Sequence, residues 1–186
     1  MRIIGGYLKG KKISFLQSSI TRPLRDMVKE NIFNILEHSK LIKLDIKEAK
    51  ILDLYSGVGS FGFECISRGA KSVNFVEKDK AAFDNLEKNL KLLKVTANCT
   101  VNKTRTSSYL NSNCKNKFDV IFLDPPFKEN AFLNDLKIIK SFQMYNEKHL
   151  VIIHREKGEK DDFKDKIKPF LIKEYGRSRI IMANFN

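Results

Sequence analysis

The chain reads as an α/β protein, with a mostly parallel sheet wound by helices on both faces and finished by a terminal antiparallel strand pair. Three observations predict this. Short apolar runs suited to buried strands alternate with segments whose apolar residues recur at helical spacing. The stretch Lys50 to Gly69 is a strand that runs through a glycine turn into a helix, the opening unit of a parallel sheet with a ligand cradle at its edge. The last two strand-like runs, Phe170 to Glu174 and Arg179 to Phe185, are separated only by a turn at Gly176, so they pair antiparallel.

The elements follow in order. Arg2 to Phe15 carries two short apolar runs around Gly5-Gly6 and Gly10, which predicts a small hairpin with lysines at its turns, an appendage to the core. Thr21-Arg22-Pro23 punctuates the chain, and Val28, Ile32, Phe33, Ile35 and Leu36 predict an amphipathic helix from about Leu24 to Ser39. Lys40 to Lys50 is a polar connector that Leu41, Ile42, Leu44 and Ile46 anchor. Ile51 to Leu54 is the first core strand; Phe61, Cys65 and Ile66 mark its helix, and Gly69 caps it. Ser72 to Val76 is a second strand, Ala81 to Lys94 a crossover helix and Ala97 to Asn102 a third strand. A short helix at Ser107 to Leu110 and a fourth strand at Phe118 to Leu123 follow. Phe132 to Ile139 predicts a helix, His149 to Ile153 a fifth strand and Phe163 to Lys168 a short helix before the final pair. A chain of 186 residues with 42% hydrophobic content suits one core, hence one domain over residues 1–186, divided into an arm (1–23) and a core (24–186).

The first chemical signal is the turn itself. Gly57, Gly59 and Gly62 permit positive φ and let backbone N–H groups at a helix N-terminus approach a ligand. Glu77 ends the next apolar run at the spacing of a ribose-binding acid, so the pattern also fits a nicotinamide dinucleotide. Asp53, inside the strand before the glycines, moves the reading to S-adenosylmethionine. A carboxylate repels a pyrophosphate but tolerates the ammonium group of that cofactor. The alternative for Asp53 is a capping acid of a generic α/β turn.

The second signal is Asp124-Pro125-Pro126-Phe127, where the fourth strand ends and ligands of such sheets bind. Two prolines fix φ and hold the Asp124 carboxylate and neighbouring carbonyls rigidly, while Phe127 offers a flat face. A planar base with an exocyclic amine fits both: its amine donates to Asp124 and a proline carbonyl, and its ring stacks on Phe127. The alternative is an ordinary strand-ending turn with a core phenylalanine.

Charge and composition bound the partner. The net charge of +13 points to a polyanion, although lysine-rich composition by itself inflates such a figure. Its distribution is more telling: Arg2, Lys9, Lys11, Lys12, Arg22 and Arg25 all precede the first acidic residue, Asp26, which makes a one-sign arm for phosphate contacts. Cys65, Cys99 and Cys114, with His38, His149 and His154, have no metal-ligand spacing, so free thiols and no metal are expected. With no apolar run of membrane-spanning length and no signal-peptide pattern, a cytoplasmic protein without a membrane partner is expected.

At this point the motifs carry a resemblance. Asp-Pro-Pro-Phe at Asp124 to Phe127 and Leu-Asp-Leu-Tyr-Ser-Gly-Val-Gly at Leu52 to Gly59 resemble base-modifying amino-methyltransferases. Arg-Ile-Ile-Gly-Gly at Arg2 to Gly6, Lys-Gly-Lys-Lys at Lys9 to Lys12, Thr-Arg-Pro at Thr21 to Pro23, Asp26, and Glu30 with Phe33-Asn34-Ile35-Leu36 resemble the RsmD family more narrowly. So do Ser67-Arg68-Gly69-Ala70 and Val76-Glu77-Lys78. The resemblance implies a Rossmann-like class I methyltransferase fold with a seven-stranded sheet. It implies S-adenosylmethionine as donor, the N2 amine of a guanine in 16S rRNA as acceptor, and the small ribosomal subunit as partner of a monomer. By position, Asp53, Tyr55, Gly57 and Gly59 line the methionine end, Glu77 the ribose hydroxyls, Arg105 and Thr106 the adenine, with Lys78 also at the cofactor, and Asp124 to Phe127 the guanine. The sequence departs from the family pattern at Leu24, Met27 and Val58. It departs again at Arg105, where an acid or amide is typical, so that adenine recognition falls to backbone groups near Thr106, and at His154-Arg155. A DNA amino-methyltransferase with the same Asp-Pro-Pro-Phe chemistry, a non-catalytic RNA-binding assembly protein and a nicotinamide oxidoreductase stand as alternatives.

Overall fold

The computed structural model describes residues 1–15, 24, 26–127 and 129–186. Its centre is β1 (Lys50–Leu54), in which every residue after Lys50 is buried, as expected of a strand covered on both faces. β2 (Ser72–Glu77) and β4 (Phe118–Leu123) flank it in parallel, with Asp53 level with Phe75 on one side and Phe122 on the other. β3 (Cys99–Lys103), β5 (Tyr145–Glu156), β6 (Lys168–Tyr175) and β7 (Ser178–Asn184) complete a seven-stranded sheet in the order β3-β2-β1-β4-β5-β7-β6. β7 runs antiparallel to β5 and β6, and all other pairs are parallel.

Alternation along the strands sends neighbouring residues to opposite faces. Ile51, Val73, Phe75, Val120, Phe122 and Ile152 join α1 (Asp26–His38), α2 (Ser60–Ser67) and α3 (Lys80–Leu93) in one core. Leu52, Leu54, Ile121, Leu123 and Val151 join α4 (Thr106–Ser112) and α5 (Phe132–Ser141) in the other. α3 is capped at its start by Asp79, whose side chain accepts the Ala82 N–H at 2.8 Å, and at its end by Lys94 in the left-handed region. Cys65 is buried, Cys99 and Cys114 are half-buried, and all three are free thiols.

Four expectations change. β3 starts at Cys99, because Thr96–Asn98 forms a 3-10 turn. β5 is much longer than the apolar run His149 to Ile153, extending through polar residues at both ends. The helix expected over Phe163 to Lys168 is a turn: Asp165 adopts φ 62°, which breaks a right-handed helix, while Phe163 packs on Phe132 and Ile167 enters the core.

The fourth concerns the N-terminal arm, which is no appendage. Its two ends do pair antiparallel as a small hairpin, with Arg2 bridged to Lys12, the Ile3 N–H on the Lys11 carbonyl and the Ile13 N–H on the Met1 carbonyl, but Ile3, Leu8 and Ile13 are buried in the core. Buried Glu64 on α2 accepts the N–H groups of Ile4 and Gly5 at 2.8 and 2.7 Å, and buried Lys29 on α1 donates to the Arg2 carbonyl at 2.6 Å. The Glu64 carboxylate also pairs with Lys29 and with Arg68, so two cations offset its burial. Gly6, at φ 72°, lies so close to the Ser67 carbonyl that any Cβ would collide with it. Asn89 on α3 then bonds both Ser14 and the Val58 carbonyl, tying the end of the arm to the glycine turn.

Candidate active site

The strand order reverses between β1 and β4, and ligands of such sheets bind at that crevice. A cavity of about 900 Å³ opens there. Asp53, Tyr55, Gly57, Glu77, Lys78, Arg105, Thr106 and the whole of Asp124 to Phe127 line it, so elements far apart in sequence meet at one place. Phe15 and Leu24, from the two sides of the undescribed segment 16–23, line it too.

The glycine turn is held by its own strand neighbours. Tyr55, Gly57 and Gly59 take positive φ values of 58°, 55° and 86°. The Ser56 hydroxyl donates to the Asp53 carbonyl and accepts the Val76 N–H at 2.9 Å, which pins the turn to β2. Gly59 is not among the residues that line the cavity. It caps α2, and a Cβ there would strike Phe63 and Leu86 on the core side. Gly62 likewise serves packing, since a Cβ would meet Phe75 and Val73 of the sheet. Gly57 alone of the three has open space where a Cβ would stand.

Asp53 is the most informative group. It is buried, its Oδ2 accepts the Gly62 N–H at 3.0 Å, and its Oδ1, also buried, has no hydrogen-bond partner among the described residues. Burial pushes its carboxyl well above the usual range; the Gly62 bond opposes this, and Asp124 and Glu77 add to it. A buried carboxylate oxygen without a partner, on a residue that lines a cavity, leaves an acceptor that a ligand donor can fill. Glu77 differs: its Oε2 accepts the Gly57 N–H at 2.8 Å and its Oε1 the Asp79 N–H at 2.7 Å, so it closes the turn while keeping a lone pair on each oxygen. Burial raises its pKa against those two bonds.

Elsewhere on the cavity wall, Tyr55 and Thr106 both donate to Asp135 Oδ2 at 2.6 Å. Burial raises the Tyr55 hydroxyl pKa, and its bond to Asp135 raises it further. Burial raises Asp135 too, opposed by the two donors. This carboxylate from α5 lines the cavity near Arg105 and gave no sign in the sequence, where it reads as an ordinary first-turn acid of a helix.

The Asp-Pro-Pro-Phe segment begins where β4 stops. Asp124 Oδ1 accepts from His154 Nδ1 at 2.8 Å, and His154 Nε2 lies 2.9 Å from the Ser178 hydroxyl on β7. Burial lowers the His154 pKa, but the Asp124 charge and hydrogen bond outweigh that and raise it overall. The His154 ring meets Phe127 edge-on, centroids 5.6 Å apart. Arg155, fully buried, forks onto Asp161 with two bonds of 3.0 Å and donates to the Pro126 carbonyl at 3.2 Å, while its guanidinium lies over Phe132. The Pro126 carbonyl also takes the Glu129 N–H. The polar end of β5 therefore holds the segment from behind, which sequence reading registered only as a departure from a family pattern.

Of the basic arm, Arg2, Lys9, Lys11 and Lys12 are exposed and none lines the cavity; Arg2 lies 3.9 Å from Asp26. Arg22 and Arg25 lie outside the described residues. Nearer the cavity, Lys78 pairs with Glu129, and Arg177 with Glu156. Among the described residues no His, Cys, Asp and Glu side chains cluster so as to hold a metal ion, and no helix is long and apolar enough to cross a membrane.

Comparison with known proteins adds the lineage. Residues 1–184 match the model of a family described as Conserved hypothetical protein 95. The chain is 35% identical to ribosomal RNA small subunit methyltransferase D of Haemophilus influenzae over 84% of this chain and 79% of that one. It is 30% identical to the protein of the same name from Escherichia coli, over 84% and 75%. Among solved structures, the yhhF protein from Escherichia coli superposes with a TM-score of 0.83 at 26% identity, covering 100% of this chain and 98% of that one. With a class I sheet order, a cradle and an Asp-Pro-Pro-Phe segment on one cavity, and these relatives, the chain belongs to the RsmD family of methyltransferases.

Proposed function

We propose that this protein transfers a methyl group from S-adenosylmethionine to the exocyclic N2 amine of a guanine in 16S rRNA of the small ribosomal subunit. The observation that carries the reading is one cavity bringing the orphaned Asp53 Oδ1 together with Asp124, Pro125 and Phe127. The names of the relatives, ribosomal RNA small subunit methyltransferase D, support RNA over DNA as the substrate.

The residues present fit the cofactor. Asp53 Oδ1 supplies the acceptor its ammonium group needs, and Glu77 has a spare lone pair on each oxygen for ribose hydroxyls. Gly57 leaves its space open, and Tyr55, Lys78, Arg105 and Thr106 bound the remainder. Because Arg105 is a cation, the acceptor for the adenine amine falls to backbone groups near Thr106, with the Asp135 carboxylate behind them. When bound, the cofactor supplies an electrophilic methyl group on sulfur.

The chain's own residues do the rest. The lone pair of a guanine N2 amine is delocalised into the ring, so orientation matters more than a strong base. Asp124 accepts one amine N–H and turns the nitrogen towards the donor. Since Arg155 and Glu129 occupy the Pro126 carbonyl, the second N–H falls to the Pro125 carbonyl. Phe127 gives the base a stacking face, and the carboxylate receives the proton that leaves after transfer. Exposed Arg2, Lys9, Lys11 and Lys12, with Arg22 and Arg25, contact RNA phosphates. In this reading the enzyme is a single-domain monomer of the cytoplasm and needs no metal. Transfer of label from S-adenosylmethionine to small-subunit RNA, compared with duplex DNA, tests it: label in RNA is the expected result, and label in DNA alone refutes it.

A further inference from the structure

Against Asp124 stands a side chain that does not line the cavity and that the mechanism above does not use. His154, at the polar end of β5, holds Asp124 Oδ1 through Nδ1 at 2.8 Å and the Ser178 hydroxyl through Nε2 at 2.9 Å. The imidazole is 8% exposed and the carboxylate 20%, and only the carboxylate lines the cavity. We propose that His154 is a positioning residue for methyl transfer, fixing Asp124 Oδ1 so that Oδ2 meets the amine, and setting by its own charge how readily Asp124 accepts the amine proton. The inference rests on the reading that Asp124 orients the target amine.

The chemistry follows from donor and acceptor capacity. A carboxylate only accepts, so Nδ1 carries a hydrogen whether the ring is neutral or charged. Nε2 is an acceptor in the neutral ring and a donor in the cation, and a serine hydroxyl satisfies either. The ring thus keeps its place in both charge states, with Phe127 edge-on to it. For each methyl carbon bonded to nitrogen one N–H proton leaves, and in this scheme it goes to Asp124 Oδ2 and on to solvent. A cationic ring 2.8 Å away makes the carboxylate a poorer acceptor; a neutral ring keeps the hydrogen bond and removes the charge. The charged groups facing His154 are Asp124 from β4, which favours the cation, and Arg155 beside it on β5, which opposes it; Ser178 from β7 and Phe127 are neutral. Turnover therefore rises as pH rises through the imidazole's titration, which the Asp124 charge moves upward from histidine's ordinary value.

The test measures kcat against pH for label transfer from S-adenosylmethionine to small ribosomal subunits lacking the modification, with cofactor Kd from calorimetry. His154→Ala should lose on the order of tenfold to a hundredfold in kcat at unchanged cofactor Kd. His154→Asn, which keeps an N–H for Asp124 but cannot titrate, should recover most of that loss and lack the ascending limb of the wild-type profile. If His154→Ala does not fold, the Asn profile decides alone. Wild-type kcat in the Ala variant, a wild-type limb in the Asn variant, or no limb in the wild type overturns the inference and leaves the parent reading standing. A wild-type protein that labels no RNA overturns both.

Discussion

Replacing Asp53 by asparagine should move protein stability and cofactor affinity in opposite directions. The side chain is buried with one oxygen on the Gly62 N–H at 3.0 Å and the other without a partner. Burying an unpaired charge costs more than burying a neutral polar group in the same place. Asparagine keeps a carbonyl oxygen for Gly62 and removes the charge, so the ligand-free protein should gain on the order of 1 kcal/mol, or roughly 2–4 °C in Tm at this size. Burial raises the Asp53 pKa, so the wild type is relieved when the acid is protonated. The asparagine variant's advantage is therefore full above the raised folded pKa and shrinks as pH falls through it. Where Oδ1 stood, however, an N–H₂ group now faces an ammonium. Losing a hydrogen bond to a charged group, about 1.5–3 kcal/mol, weakens binding by roughly tenfold to 150-fold. Thermal unfolding without ligand, and calorimetric titration with S-adenosylmethionine, measure the two effects separately. An Asp53→Asn protein that is less stable and binds the cofactor with unchanged Kd would refute the reasoning, since Oδ1 would then be a structural atom.

Three more outcomes follow from the same geometry. Asp124→Ala should reduce kcat far more than it changes cofactor Kd, because the carboxylate orients the amine; single-turnover kinetics beside calorimetry checks this, and surviving turnover with weakened cofactor binding counts against it. Arg155→Met should cost about 3–5 kcal/mol in denaturant unfolding, since it strands buried Asp161 without its fork, and adding Asp161→Leu should restore part of the loss. Replacing exposed Lys9, Lys11 and Lys12 together by alanine should flatten the log-log salt dependence of RNA binding by up to roughly three, about one per lost phosphate contact, with cofactor affinity unchanged; a slope equal to the parent's removes the arm from the RNA interface.

The centre of the molecule was legible because its residues do one thing. Ile51 to Leu54 and Phe118 to Leu123 are covered on both faces, so a bare apolar run identifies each strand, and the glycine turn and Asp-Pro-Pro-Phe fall at their ends. What escaped detection is polar and buried. Glu64 and Lys29 look like helix surface until the arm folds onto them, which turned a docked segment into an expected appendage. His154, Arg155 and Glu156 end the apolar run of β5, so its apolar pattern stops short of the residues that support Asp124 and Pro126. Phe163 and Ile167 carry helical spacing but anchor a turn, because Asp165 enters the left-handed region. Gly59 and Gly62 belong to the motif by spacing, yet both serve packing against Phe63, Leu86 and Phe75. A pattern in sequence cannot distinguish a glycine that admits a ligand from one that admits a neighbouring ring.

The most direct measurement is the identity of the product. Small ribosomal subunits lacking the modification are incubated with the protein and isotopically labelled S-adenosylmethionine, and their 16S rRNA is digested to nucleosides and analysed by mass spectrometry. The account predicts label in N2-methylguanosine, at a stoichiometry of about one per subunit, and its loss with Asp124→Ala. Label in another nucleoside, or in RNA only after Asp124 is removed, would contradict the assignment of that carboxylate to a guanine amine.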